Sequence, residues 1–316
     1  SNELIHNTDL LKKLNMFEDI KIKLHDIQAK NYENLSDYQN AYINILIRNK
    51  IISNKKENNK FDKKIIINTI EKYKKFYRKD LIKNINEKLE YKSDKNLVFL
   101  VGFPRSGTTL LDTILRSHPN VQVLEEKPFL LNLRHNFFKK HNNNLEALKD
   151  ITQVEKDSIT STYFKNIDFK NLNKNLIIDK FPLSIIEIGF IKCIFPKSKI
   201  ILALRNPCDV VTSCLFSAFK MNDAMINFLK LEDTINFYNH VFSLFEIFEK
   251  EFDLELYKIK YEDLVYDFKN QMQLLLKFLN LEYKEEIENF HINAKNRRIS
   301  TPSYNQVINP IYKSSI

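Results

Sequence analysis

Apolar positions in the first ninety residues recur at helical spacing: Leu10, Leu11 and Leu14, then Ile20, Leu24 and Ile27, then Tyr38, Ala41, Tyr42 and Leu46. No strand-like alternation interrupts them, so residues 1–92 read as amphipathic helices. The polar stretch Ser53 to Lys60 is a loop, and Ile65 to Leu89 returns to helical spacing before the charged segment Ser93 to Asn96. From Asn96 the pattern changes to short apolar runs, each followed by a helical segment: Leu97 to Val101, Val121 to Leu124, Leu176 to Ile178, Ile200 to Leu204 and Leu256 to Ile259. Strands buried on both faces read this way. Their alternation with helices predicts an α/β domain over residues 93–316, a P-loop-like, doubly wound parallel sheet flanked by helices, after an all-α segment at 1–92. Ligands of such a sheet sit at the carboxyl ends of its strands.

Those ends carry the chemistry. In NLVFLVGFPRSGTTLLDTIL a strand runs into a tight loop and then a helix from about Thr108 to Arg116. The N–H groups of a helix start are unpaired and sit at the positive end of its dipole, so they bind phosphate oxygens, and glycine lets the backbone come close. The chain has only three glycines, and Gly102 and Gly107 both lie here. Thr108 stands where a Walker A loop has Lys, which leaves Arg105 and the hydroxyls of Ser106, Thr108 and Thr109 and disfavours an ordinary nucleotide hydrolase. An unoccupied strand-to-helix turn is the plainer alternative.

Further strand ends deliver Glu125 and Glu126, Lys180, and Arg205. From the residues alone the glutamates read first as a solvated strand terminus, with a general base as the alternative. His118, in the helix-ending SHPN segment, is a rival base but reads as structural. A helix from Pro207 would carry Ser213 within its first two turns, on the end nearer Arg205, so both could reach one phosphate; pairing of Arg205 with Asp209 across one turn is the alternative, and Asp209 reads first as orienting or capping the helix start.

The run GFPRSGTTLLDTILRSHPNVQVLEE resembles the sulfotransferases that use 3′-phosphoadenosine-5′-phosphosulfate (PAPS). It is nearest to the tyrosylprotein sulfotransferases and to bacterial relatives with tetratricopeptide repeats, and Asn31 to Asn49 looks like part of one such helix pair. The resemblance implies that Arg105, Ser106, Gly107, Thr108 and Thr109 bind the 5′-phosphosulfate, with Arg105 steadying the leaving group, and that Glu126 is the general base. It also implies that Lys180, in a DKxP segment, contacts the transferring sulfuryl group, and that Arg205 and Ser213, in RxPxDxxxS, hold the 3′-phosphate. In the closing segment ISTPSYNQVINPIYKSSI, Ser303 would contact the sulfate while Gln306 and Val307 order the loop. YEDLVYD, at Tyr261 to Asp267, resembles a recurring segment supporting the sheet and is assigned no chemistry. PAPS is then the co-substrate, no metal is needed, and the acceptor is a hydroxyl of a peptide, carbohydrate or small molecule. The relatives continue past the equivalent of Ile316, so the domain reads as truncated at its carboxyl end.

Composition changes this picture little. The chain has 316 residues, 43% of them hydrophobic with 24 Phe and 14 Tyr, a composition of folded rather than disordered proteins. No apolar run reaches membrane-spanning length. The net charge of +9 comes from lysines spread widely among Asn and Ile, so nucleic acid is not the expected partner and a small polyanion accounts for the excess. Cys193, Cys208 and Cys214 lack paired spacing and read as core residues of a reducing, cytoplasmic compartment. Two other readings stay open. One is a P-loop kinase, which would want a loop Lys and Mg²⁺ ligands, with Asp179 the one candidate. The other is a scaffold whose N-terminal helices bind a protein partner while the sulfotransferase-like domain turns over poorly.

Overall fold

A computed structural model describes residues 18–93, 95–167 and 176–295, with the side chains of residues 293 and 295 left aside. The chain divides into two compact units, one of residues 1–69 with 211–240 and one of residues 70–210 with 241–316.

In the first unit, helices Glu18–Asn34 and Tyr38–Asn54 form a hairpin. Asp37 caps the second, accepting the Asn40 N–H at 3.1 Å and so satisfying one of the donors a helix start leaves over. Ala29, Ile45 and Leu215 are buried together, with Tyr42, Phe216 and Leu231 packed around them. Arg48 is buried at the centre of this unit. Its guanidinium donates to the carbonyls of Leu215 and Phe216, both at 2.9 Å, to the Asn49 amide oxygen, and to Asp26 at 2.5 Å.

The second unit is built on five parallel strands: β1 (Asn96–Gly102), β2 (Val121–Glu125), β3 (Leu176–Lys180), β4 (Lys199–Leu204) and β5 (Leu256–Lys260). Their order in the sheet is β2-β3-β1-β4-β5. Every residue of β3, and β1 from Leu97 onward, is buried, as expected of central strands covered on both faces. Parallel register sets Gly102 opposite Ala203 and Glu125 opposite Lys180, which brings the carboxyl ends of β1 to β4 to one edge. One sheet face packs Leu111, Ile114 and Leu115 of helix Thr108–Arg116 with Met272, Leu275 and Leu276 of helix Phe268–Phe278.

Three details depart from the sequence reading. The single helical pattern from Ile65 to Leu89 is two helices, Lys63–Phe76 and Lys79–Lys88, because Arg78 is extended (φ −128°, ψ 158°) with neither Pro nor Gly to mark the break. β3 runs two residues further than its apolar run, so Lys180 is the strand's last residue rather than following it. Cys193 and Cys214 are buried, but Cys208 is exposed: it lies in the first turn of helix Pro207–Phe216, its N–H held by Asn206 Oδ1 at 2.9 Å. Among the described residues no helix is long and apolar enough to cross a membrane.

Candidate functional site

β1 ends at Gly102, and what fixes glycine there is the neighbouring strand: a Cβ would sit 2.7 Å from the Ala203 carbonyl oxygen. The chain then turns through Phe103 to Ser106 and enters helix Thr108–Arg116 at Gly107, whose φ of +91° lies in the left-handed region that side chains disfavour. Arg105 is also left-handed, at φ +72°. Alternating backbone hands of this kind curl successive N–H groups toward one point, and the helix start adds the positive end of its dipole. Ser106, Thr108 and Thr109 are buried in the turn. Within the turn the Ser106 N–H donates to the Phe103 carbonyl at 3.2 Å.

β2 ends at Glu125, and Glu126 turns out of the sheet at φ +48° with its N–H donating to the Lys180 carbonyl at 2.8 Å. That hydrogen bond holds a non-glycine residue in a conformation costing about 1 kcal/mol, a kind of strain that clusters at functional sites. Glu126 Oε1 accepts from Lys180 Nζ at 2.7 Å; the Lys180 side chain is fully buried, while that of Glu126 is 38% exposed. The acid thus reaches outward from a cation that cannot be seen from solvent.

Lys180 also lies 3.9 Å from Glu125 Oε1 and 3.8 Å from Asp112 Oδ2. Asp112, itself fully buried, takes two contacts on its other oxygen from Arg116 one turn along the helix, at 2.8 Å from Nε and 2.7 Å from a terminal nitrogen. Arg116 donates in addition to the Val123 carbonyl at 2.9 Å. Two cations and three carboxylates therefore share the carboxyl edge of β2 and β3.

At the end of β4, Arg205 lies over the Tyr261 ring, 4.7 Å from its centroid, with Asp209 Oδ2 3.9 Å from its Nε. Tyr261 also closes on the loop, since a Cβ on Gly107 would meet its Cδ2 at 2.8 Å. Glu262 accepts the Asn206 N–H at 2.8 Å. The segment assigned no chemistry thus touches both the phosphate loop and Arg205, and its position directly after β5 at the carboxyl edge was the available signal.

Ser213 lies on helix Pro207–Phe216, which begins two residues after Arg205, and Ser303, Gln306 and Val307 lie outside the described residues. His118 is held on both nitrogens: Nδ1 accepts the Asn120 N–H at 3.2 Å, which leaves Nε2 to donate to the Glu282 carbonyl at 3.0 Å. That is a structural histidine. Asp179 is 2% exposed and accepts the Tyr163 hydroxyl at 2.6 Å; burial pushes its carboxyl up to about 7, with that hydrogen bond and Lys180 pulling the other way. Its partner Tyr163 packs with Phe99 and Phe195, so the carboxyl sits against an aromatic cluster, a poor place for a Mg²⁺ ligand. Among the described residues no group of three or more His, Cys, Asp or Glu is arranged to hold a metal ion.

The family model described as "Sulfotransferase family" matches residues 98–285, more than half of the chain. An uncharacterized protein of Aquifex aeolicus is 27% identical over 230 residues, covering 70% of this chain and 30% of that protein. Protein-tyrosine sulfotransferase 1 of Danio rerio is 25% identical over 209 residues, covering 65% of this chain and 58% of its own length. The chain thus spans well under two thirds of either relative. Among solved structures, the sulfotransferase domain of the Synechococcus PCC 7002 olefin synthase is similar at 19% identity and a TM-score of 0.49, covering 71% of this chain and 88% of that domain.

Proposed function

Because the chain belongs to the sulfotransferase family, we propose that it transfers the sulfuryl group of PAPS to a hydroxyl acceptor by in-line displacement, with Glu126 as general base. The observation that carries this reading is the contact of 2.7 Å between the partly exposed Glu126 carboxylate and the buried Lys180 ammonium, at strand ends beside a left-handed glycine loop. The loop fits an adenylyl-linked phosphosulfate. Gly102 and Gly107 let Ala203 and Tyr261 pack where a Cβ would clash, and three hydroxyls and Arg105 accompany the helix start.

In this reading the acceptor oxygen forms a bond to sulfur as the bond from sulfur to the 5′-phosphate oxygen breaks. The acceptor proton goes to Glu126, and the electron pair of the broken bond stays on the 5′-phosphate. Arg105 and the loop N–H groups stabilise that oxygen, and Lys180 bridges toward the sulfuryl group. A loose transition state of this kind is governed by positioning and charge more than by covalent participation of the protein. Arg205, lying over Tyr261, suits the 3′-phosphate, where a planar guanidinium can bind two oxygens at once. The acceptor belongs to the hydroxyl class; a tyrosine peptide is the first to try, since relatives carry that activity in their names.

The test is transfer of label from PAPS to a panel of a tyrosine peptide, an oligosaccharide and a simple phenol. Glu126→Gln is expected to lower kcat by about 10²- to 10⁴-fold while adenosine 3′,5′-bisphosphate still binds. Turnover that survives Glu126→Gln unchanged would remove the general base from this reading, and turnover of ATP with Mg²⁺ in place of PAPS would replace the reading altogether.

A further inference from the structure

We infer that Asp112 is a positioning residue that withholds part of the Lys180 charge from the bound donor; this rests on the sulfotransferase reading above. Asp112 is a buried acid on the helix that leads away from the phosphate loop, and no base or anion-binding role falls to it. Its geometry is divided. Arg116 occupies Oδ1 with two nitrogens, at 2.8 and 2.7 Å, and so turns Oδ2 toward Lys180 Nζ, 3.8 Å away. Lys180 is thereby drawn from the helix side by Asp112 and from the β2 side by Glu126 at 2.7 Å and Glu125 at 3.9 Å. Among the described residues the ammonium faces these three carboxylates and, from its own strand, Asp179, with Arg116 behind Asp112 and 3.8 Å from Glu125.

An anionic donor entering this edge meets one more negative than positive charge among the three carboxylates, Lys180 and Arg116. Its attraction to Lys180 is then offset by Asp112, in an enclosed site where charges act strongly on one another. The donor is anionic in the ground state and in the transition state alike, so Asp112 opposes both, and its effect falls on affinity for the donor rather than on kcat. Arg116 sets the balance by neutralising Asp112 in part and by fixing which oxygen faces Lys180.

The experiment is isothermal titration of adenosine 3′,5′-bisphosphate into the parent chain, Asp112→Asn, Arg116→Gln and the double variant, each checked for folding by circular dichroism. Asp112→Asn keeps the shape and removes the charge, so the bisphosphate is expected to bind about three- to tenfold more tightly. Arg116→Gln exposes Lys180 to the full Asp112 charge and is expected to weaken binding by a similar factor, with the double variant back near the parent. In turnover, Asp112→Asn is expected to lower the KM for PAPS without lowering kcat, a split that a scaffold role would not produce. Weaker or unchanged binding by Asp112→Asn in a parent that binds would overturn the inference alone. Failure of the parent itself to bind would remove the donor reading and the inference with it. Should Asp112→Asn not fold, Arg116→Gln decides: unchanged or tighter binding overturns the inference.

Discussion

Asp179→Asn should flatten the pH dependence of the protein's stability. The carboxyl is 2% exposed, hydrogen-bonded to Tyr163 and displaced upward by burial from 3.8 to about 7. Between those values the folded protein keeps the proton and the unfolded chain has released it. Stability contributed by this group is therefore complete below about pH 4, falls as pH rises, and is gone above about pH 7. At about 1.4 kcal/mol per pH unit the full displacement corresponds to about 4 kcal/mol, and the part between pH 5 and pH 8 to about 3 kcal/mol. Asn keeps the acceptor for the Tyr163 hydroxyl and has no proton to lose. Urea unfolding of parent and variant at pH 5 and pH 8 reads the difference directly: the parent should lose about 3 kcal/mol more than the variant across that interval. Curves that stay parallel to within about 0.5 kcal/mol would show that Asp179 ionises as readily inside the fold as outside it, and would refute the reasoning.

Two further substitutions probe the frame of the site and of the helical unit. Gly107→Ala forces a Cβ onto φ +91° and to 2.8 Å from the Tyr261 ring, which itself carries Arg205. Thermal unfolding should register a loss of about 1–2 kcal/mol for the backbone alone, and bisphosphate binding should weaken about tenfold or more; a variant equal to the parent in both would contradict the close packing of loop and ring. Arg48→Met takes the ion-pair partner from half-buried Asp26 and the side-chain donor from the Phe216 carbonyl, while Leu215 keeps its bond from Asn49; a cost of about 1–3 kcal/mol is expected in urea unfolding, and a change below about 0.5 kcal/mol would show that the guanidinium contributes little there.

Much of this site could be read along the chain, because a parallel sheet collects its strand ends whatever the intervening sequence. Short apolar runs placed β1 to β5, and each candidate cation or acid at the carboxyl edge came from the residues at or just after a run. Scarcity of glycine made Gly102 and Gly107 conspicuous, and the structure explains each by a close contact. Side-chain direction was another matter. That Lys180 turns inward to meet Glu126, 54 residues earlier, follows from the pairing of β2 with β3, which no local pattern encodes. Asp112 and Arg116 stand one helical turn apart and carry no signal of their own in the sequence; the approach of β3 gives Asp112 its contact with Lys180. Tyr261 was passed over because its segment was read as support for the sheet. Cys208 went wrong for a simpler reason: a short helix start after Pro207 leaves one side open to solvent, and composition alone does not say which.

The central claim, a donor site at the carboxyl edge of the sheet, is tested most directly by isothermal titration of adenosine 3′,5′-bisphosphate into the parent chain, Arg105→Ala and Arg205→Ala. Micromolar binding is expected for the parent, weakened about tenfold or more by each substitution, since each removes a charged donor from a phosphate. A folded parent that fails to bind, or that binds equally well without either arginine, would contradict it.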